Sequence, residues 1–328
     1  MSEHHNETSG AVPDVVIAAQ NLTKRYGKAS VVDGINFDIA KGEVFGLLVP
    51  NGAGKTTTIL MMLGLTEISS GTVTVLGYDP ARSPLQVKRR VGYLPDSVGF
   101  YDHLTAAENL SYVAKLMGLS LAERLRRIVA ALARVRLLDV ANKRVATFSR
   151  GMRQRLGLAE IIVKQAEVAI LDEPTSGLDP QATLEFLHLI GELKGDGVTV
   201  LLSSHLLDQV QRICDRVALF QAGRIVMMGS VADLAVQVLG AGFVVEVEAE
   251  GLGIARRLAM IPGVSNVSTL AEDRFRMTAD RDVRADAARA VVAVNGALRR
   301  LSVDEPSLEA IYARCFQAKP LPGVRDAA

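Results

Sequence analysis

Residues Val49-Pro-Asn-Gly-Ala-Gly-Lys-Thr56 match the spacing G-x-x-x-x-G-K-S/T, with valine in place of the first glycine. Gly52 and Gly54 let the backbone curl so that successive N–H groups, with those of Asn51, Ala53 and Thr57 beside them, point at phosphate oxygens. Lys55 brings a cation to the terminal phosphates, and the Thr56 hydroxyl suits Mg²⁺. A helix opening near Thr56 adds the partial positive charge of its N-terminus. An ordinary glycine turn before a helix is the plain alternative, but Gly-Lys-Thr after an apolar strand is specific for phosphate. Val49 bears on the turn out of the strand and leaves Gly52, Gly54 and Lys55 in place.

A second set of polar residues follows the apolar run Val168-Ala-Ile-Leu171, namely Asp172 and Glu173. A carboxylate at a strand end can hold Mg²⁺ through its water shell, and the next can orient and deprotonate a water. Adjacent acids are also common on surfaces, so the pair gains weight only beside the glycine loop. The run Val198 to Ser203 leads in the same way into Ser204 and His205, a histidine that by itself reads equally as a satisfied loop residue. In open α/β sheets ligands bind beyond the carboxyl ends of the strands, so all three sets can meet in one crevice.

The elements that must place them alternate between short β-branched runs and helical segments from Val15 to about Gly229, which predicts an α/β fold with a parallel sheet. The stretch from about 97 to 164 reads as helical throughout, with Thr105 and Glu108 as a capping box. Asp179 and Pro180 read as an N-cap and first helical residue, followed by Leu184, Leu187 and Ile190 at helical spacing. Past Gly240 the order βαββαβ predicts a small α+β domain of ferredoxin-like type. The expected organisation is a loose tail over 1–14, a cassette over 15–239, the small domain over 240–318 and a tail over 319–328. One glycine-rich loop means one cassette and no tandem repeat.

Composition excludes some partners. A formal net charge of +1 carries no nucleic-acid footprint. Cys214 and Cys315 have no C-x-x-C partner or histidines at metal spacing, and read as reduced thiols. The polar N-terminus has no apolar core of a signal peptide, and no apolar run reaches the ~18–20 residues of a spanning helix. The expected location is therefore cytoplasmic, with any membrane work done through a partner.

Phe148-Ser-Arg-Gly-Met-Arg-Gln154 resembles the signature motif of ABC-type ATPases, and Leu171-Asp-Glu-Pro-Thr-Ser-Gly-Leu-Asp179 looks like their Walker B and D-loop run. The glycine loop, Tyr93-Leu-Pro-Asp96 in the place of the Q-loop, the signature, Walker B and His205 follow one another in that family's order. The resemblance covers about 15 to 235 and implies a P-loop NTPase cassette with a helical subdomain, using ATP and Mg²⁺. It implies a head-to-tail homodimer with a second cassette, each ATP lying between one glycine loop and the other subunit's signature. By the same resemblance Ser149, Arg150, Gly151 and Met152 face the opposite ATP, Tyr26 stacks on adenine, His205 meets the γ-phosphate, and Asp179 belongs to the D-loop. Glu173 is the implied base, and Thr56, Asp96 and Asp172 the implied Mg²⁺ contacts. Arg150 and Met152 depart from the signature's glycine and glutamine, and Asp96 from the Q-loop glutamine.

The signature and Q-loop variants, with a short domain ending in Pro306-Ser-Leu-Glu-Ala-Ile-Tyr312, resemble ATPase subunits of ABC-2-type exporters, including those for drugs and for nitrous-oxide-reductase maturation. That resemblance implies an integral membrane permease encoded separately, with the cassette peripheral on the inner membrane face. Phe100, Tyr101 and Leu104 are candidates for its contact, or equally for packing under the helical insert. Two rivals stay open: a membrane-linked assembly machine without classical transport, and a soluble ABC ATPase on ribosomes or DNA. The single cassette, the absence of a long coiled-coil insertion and the near-neutral charge weigh against the second.

Overall fold

The structure is a computed structural model that describes residues 14–48, 54–239, 243–304 and 307–317. Expectations for 1–13, 49–53, 305–306 and 318–328, including Val49 and the phosphate contacts of Asn51, Gly52 and Ala53, lie outside the described residues. The chain divides into two compact units, 1–206 with 213–226, and 207–212 with 227–328.

The first unit opens with two twelve-residue strands, β1 (Val15–Tyr26) and β2 (Ala29–Ala40), followed by β3 (Val44–Leu48), α1 (Lys55–Met62) and β4 (Ser70–Val75). β1 pairs antiparallel with both β2 and β4, giving a three-stranded sheet of order β2-β1-β4. This corrects the expectation of parallel pairing from Val15 onward. Only Gly27 and Lys28 join β1 to β2, and so short a connection permits antiparallel strands alone, since parallel ones need a crossover of a dozen or more residues.

Next come α2 (Pro84–Arg90), β5 (Val91–Leu94), α3 (Ala106–Leu116), α4 (Leu121–Arg134), α5 (Arg150–Lys164), β6 (Val168–Asp172), α6 (Pro180–Gly195), β7 (Thr199–Ser204), α7 (Leu207–Ile213), β8 (Arg216–Gln221) and β9 (Arg224–Gly229). The second sheet has order β5-β6-β7-β3-β8-β9, and β3, β5, β6, β7 and β8 pair in parallel. β3, β6 and β7 are buried at every residue, the pattern of central strands covered on both faces.

The segment from 97 to 164 is less helical than its sequence suggests. Thr105 and Glu108 do form the capping box, Thr105 Oγ1 accepting from Glu108 N at 3.2 Å and Glu108 Oε2 from Thr105 N at 2.8 Å. Residues 97–105, however, form a loop, and 135–149 a loop broken only by two 3₁₀ turns, Leu138–Val140 and Val145–Thr147. Their backbone groups find partners without a helix. Buried Asn109 binds Tyr101 N at 2.9 Å and Tyr101 O at 3.1 Å, and the two loops bond each other through Val145 N to Leu104 O and Ala146 N to Asp102 O. α5 lies tightly on β5 because a Cβ on Gly157 would stand 2.2 Å from Leu94 Cδ1, and one on Gly92 2.7 Å from Ile161 Cγ1.

The second unit holds most of α7 and then α8 (Val231–Leu239), β10 (Phe243–Glu250), α9 (Ile254–Leu258), β11 (Val264–Ala271), β12 (Arg274–Ala279), α10 (Arg284–Val292), β13 (Ala297–Asp304) and α11 (Leu308–Gln317). α8, which the sequence pattern grouped with residues up to 239, falls in this unit. The four strands form an antiparallel sheet of order β11-β12-β10-β13, and α9 and α10 supply Ile254, Leu258, Ala287 and Val291 to one core with Val245, Val247, Phe275 and Met277. That order with βαββαβ connectivity is two interleaved split βαβ units. Among the described residues no helix is long and apolar enough to cross a membrane.

Candidate active site

The carboxyl ends of β3, β6 and β7 lie side by side, with Leu48 opposite Ser204 and Asp172 opposite Ser203. α1 begins at Lys55 behind Gly54, whose φ of +104° belongs to glycine, and a Cβ there would stand 2.6 Å from the Val31 carbonyl oxygen. No side chain caps α1 and its first turn holds no acid, so the N–H groups of Lys55, Thr56 and Thr57 have no acceptor within the helix. Thr58 locks the turn by donating Oγ1 to Gly54 O at 2.9 Å.

These ends gather five of the expected polar groups, with Ser203 besides, into one bonded cluster. Thr56 Oγ1 donates to Asp172 Oδ2 at 3.2 Å, and Ser203 Oγ donates to Asp172 Oδ1. Lys55 Nζ donates to Glu173 Oε1, and His205 Nδ1 lies 2.7 Å from Glu173 Oε2. Lys55 and Asp172 are 7% and 5% exposed, a burial that charged groups tolerate only when paired as these are. His205 remains exposed at the rim.

Glu173 sits at φ +48°, a left-handed conformation uncommon for a residue with a side chain. Its N–H donates to both the carbonyl oxygen and Oγ of Ser203, each at 3.1 Å, and these bonds hold the turn that aims the carboxylate between Lys55 and His205. Strain of this kind persists where the surroundings over-determine it. Ser203, fully buried, thus serves Asp172 and Glu173 together. Sequence reasoning placed it only as the end of a strand. Its position directly before Ser204 and His205, on the strand next to Asp172, was the available signal. Tyr93 is the other omission: burial, with the charge of Asp172 adding to it, pushes its phenol up to about 12.

A second group forms beside this cluster. Ser149 caps α5, its Oγ accepting from Met152 N at 3.3 Å, and Ser149 and Arg150 are exposed while Gly151 and Met152 are half-buried. Arg150 Nη2 donates to Asp96 Oδ1 at 2.7 Å, so the Asp96 carboxylate is engaged by a cation and not by the Thr56–Asp172 pair. Asp179 caps α6, accepting from Ala182 N at 2.8 Å. Tyr26 ends β1, half-exposed, with Lys24 Nζ 4.8 Å from its ring centre. Among the described residues no group of three or more His, Cys, Asp or Glu is arranged to hold a metal. Thr56 Oγ1 and Asp172 Oδ2, 3.2 Å apart, are hard-oxygen groups of the kind that suit a cation bound together with phosphate oxygens.

Comparison with known proteins agrees with this chemistry. The ABC transporter family model matches residues 32–176. The linearmycin resistance ATP-binding protein of Bacillus subtilis (strain 168) is 34% identical over 90% of this chain and 97% of its own length. A Nod factor export ATP-binding protein of Ralstonia nicotianae is 35% identical over 81% of this chain and 82% of its own. The bacitracin transport ATP-binding protein of Bacillus licheniformis is 39% identical over 64% and 68%. A solved ATP-binding subunit of an ABC transporter, 33% identical, superposes with a TM-score of 0.63 over 68% of this chain and 92% of that one.

Proposed function

Because the chain belongs to the ABC transporter ATP-binding subunits, a family of ATPases coupled to transport, we propose that it hydrolyses ATP with Glu173 as the base and powers a separate integral membrane permease of the ABC-2-type exporter branch. The observation that carries the reading is the single bonded cluster of Lys55, Thr56, Asp172, Glu173, Ser203 and His205.

In this reading the N–H groups opening α1 and the Lys55 ammonium bind the triphosphate. A γ-phosphate competes with Glu173 for Lys55, and its arrival leaves the carboxylate to take the proton of a water as the water oxygen attacks phosphorus and the β–γ bridging bond breaks. His205, bonded to the other carboxylate oxygen, keeps Glu173 oriented. Mg²⁺ would supply neutralising charge at the β and γ oxygens, with Thr56 and Asp172 as the residues that hold it. Ser149 to Met152, at a helix N-terminus exposed to solvent, serve a second copy of the cassette in a homodimer.

Export is favoured by the relatives' own descriptions, which speak of linearmycin resistance, Nod factor export and bacitracin transport. The permease contact falls on the 97–105 loop, where Tyr101 is exposed and stacks edge-on to Tyr112 at 5.3 Å while Phe100 and Leu104 are half-buried. In this reading the subunit works from the cytoplasmic face of the membrane. The test is to tag the Glu173→Gln variant, solubilise membranes with ATP and Mg²⁺, and identify what co-purifies. A multi-spanning protein in stoichiometric amount is the expected result; ribosomal or only soluble partners would overturn the transport reading.

A further inference from the structure

Two residues that depart from the family pattern, Asp96 and Arg150, lie 54 positions apart in the chain and are bonded to each other. Arg150 opens α5, where the helix dipole disfavours a cation, and the first turn of α5 holds no acid to offset it. Its partner comes instead from the loop after β5. That loop is tied to α5 at two further points. Gln154, one helical turn beyond Arg150 and 1% exposed, donates Nε2 to the Asp96 carbonyl oxygen at 3.1 Å, and Arg153 Nη1 lies 2.7 Å from Asp102 Oδ1.

The Arg150 side chain also touches a third segment. Gly177, four residues past Glu173 and at φ +68°, faces it so closely that a Cβ there would stand 3.2 Å from Arg150 Nε and 3.4 Å from Cδ and Cζ. Gly151 approaches the same turn, its Cβ position lying 3.6 Å from the Ala182 methyl and 3.8 Å from Leu178 Cδ2. One guanidinium therefore meets the Asp96 loop on one side and the turn that carries the catalytic carboxylate on the other. The ion pair is about half exposed on both sides, and such pairs contribute little to global stability. Its geometry ties three segments together at a point where local placement counts.

We propose that Asp96 and Arg150 act as a positioning pair: Asp96 anchors the Arg150 guanidinium against Gly177, and the pair links the turn bearing Glu173 to the loop bearing Tyr101. The proposal rests on the ATP-hydrolysis reading. It requires that removing Asp96, which acts on Gly177 through Arg150, disturb the 173–182 turn as much as removing Arg150 does. It also requires that lysine at 150, a point charge without the planar fork, restore the function incompletely.

The test is a double-mutant cycle in the full-length protein with Asp96→Asn, Arg150→Ala, the double variant, Arg150→Lys and the exchange Asp96→Arg with Arg150→Asp. Turnover, KM for ATP, thermal midpoint and hydrogen exchange of the 96–105 and 173–182 peptides are read for each. The expected result is a fall in kcat of about tenfold in either single variant, with KM within about twofold, an unchanged thermal midpoint and no further loss in the double variant, as for two residues acting as one unit. Exchange in 173–182 rises in Asp96→Asn as in Arg150→Ala, and the charge exchange recovers part of kcat. Additive losses, or a 173–182 peptide that exchanges normally in Asp96→Asn, would overturn the pair. Hydrogen exchange reads the proposal even if turnover is absent. Failure of Glu173→Gln to reduce turnover would instead remove the hydrolysis reading and leave the exchange result standing.

Discussion

The Lys55 ammonium donates to the Glu173 carboxylate, joining the residue proposed to meet phosphate to the residue proposed to activate water. In the proposed mechanism the two roles are coupled: Glu173 is bonded to a cation until an anion of higher charge draws that cation away. Base activity then follows substrate binding. Glu173→Gln keeps a neutral acceptor for Lys55 and loses the base. We expect turnover to fall by about 10²–10⁴-fold, the usual contribution of a general base. ATP affinity should hold within a few-fold, as measured by titration with a fluorescent ATP analogue. Turnover at the unmodified rate would show that another group takes the proton.

Ser203 holds the Asp172 carboxylate and the Glu173 backbone with one hydroxyl, bonding Asp172 through its proton and the Glu173 N–H through its oxygen. Ser203→Ala leaves a buried carboxylate oxygen short of a donor, a loss that costs about 1–3 kcal/mol. Thermal or urea unfolding should register that destabilisation, and kcat should fall more than ATP affinity because the Glu173 turn loosens. A variant equal to the parent in both would show that the backbone bond from Glu173 N to Ser203 O suffices.

Gly54→Ala adds a Cβ at φ +104° and 2.6 Å from a backbone oxygen that has no flexible way to retreat. Strain of about 1–3 kcal/mol at such a position shifts the turn before α1. Nucleotide affinity should drop by at least about tenfold, the equivalent of 1.4 kcal/mol. Calorimetry or analogue titration reads this directly, and parent-like affinity would mean that the turn relaxes without moving Lys55.

Tyr93 gives a pH signature. Its phenol is held neutral up to about 12 by burial and by the negative charge of Asp172, against an ordinary value of 10. The unfolded chain therefore releases this proton first, and the stability that the raised value represents is present below about pH 10 and lost as pH rises towards 12. Absorbance titration near 295 nm should find one tyrosine ionising later than the rest, and Tyr93→Phe should remove it and flatten the loss of stability in that window.

Much of the site was legible because its chemistry is local in sequence. Gly54-Lys55-Thr56, Asp172-Glu173 and His205 each follow an apolar run short enough to be a strand, and a parallel sheet brings strand ends together whatever the details of packing. The capping box at Thr105 and the Asp179-Pro180 helix start were likewise set by residues within one turn of each other. The antiparallel sheet of β1, β2 and β4 was missed because a β-branched run looks alike in either pairing, and the two-residue link between β1 and β2 decides its direction.

What the sequence determined by itself was the set of groups proposed to handle phosphate, since their types and spacing along the chain are what mark them. Tertiary structure alone decided which of those groups bond to one another. Asp96, read as a Mg²⁺ contact, faces Arg150 because α5 approaches β5 over Gly92 and Gly157 and carries its first turn to that loop. Ser203 enters the site because β7 lies beside β6 in register with Asp172. Both contacts join residues 31 or more positions apart, and no periodicity within either segment encodes the distance between them.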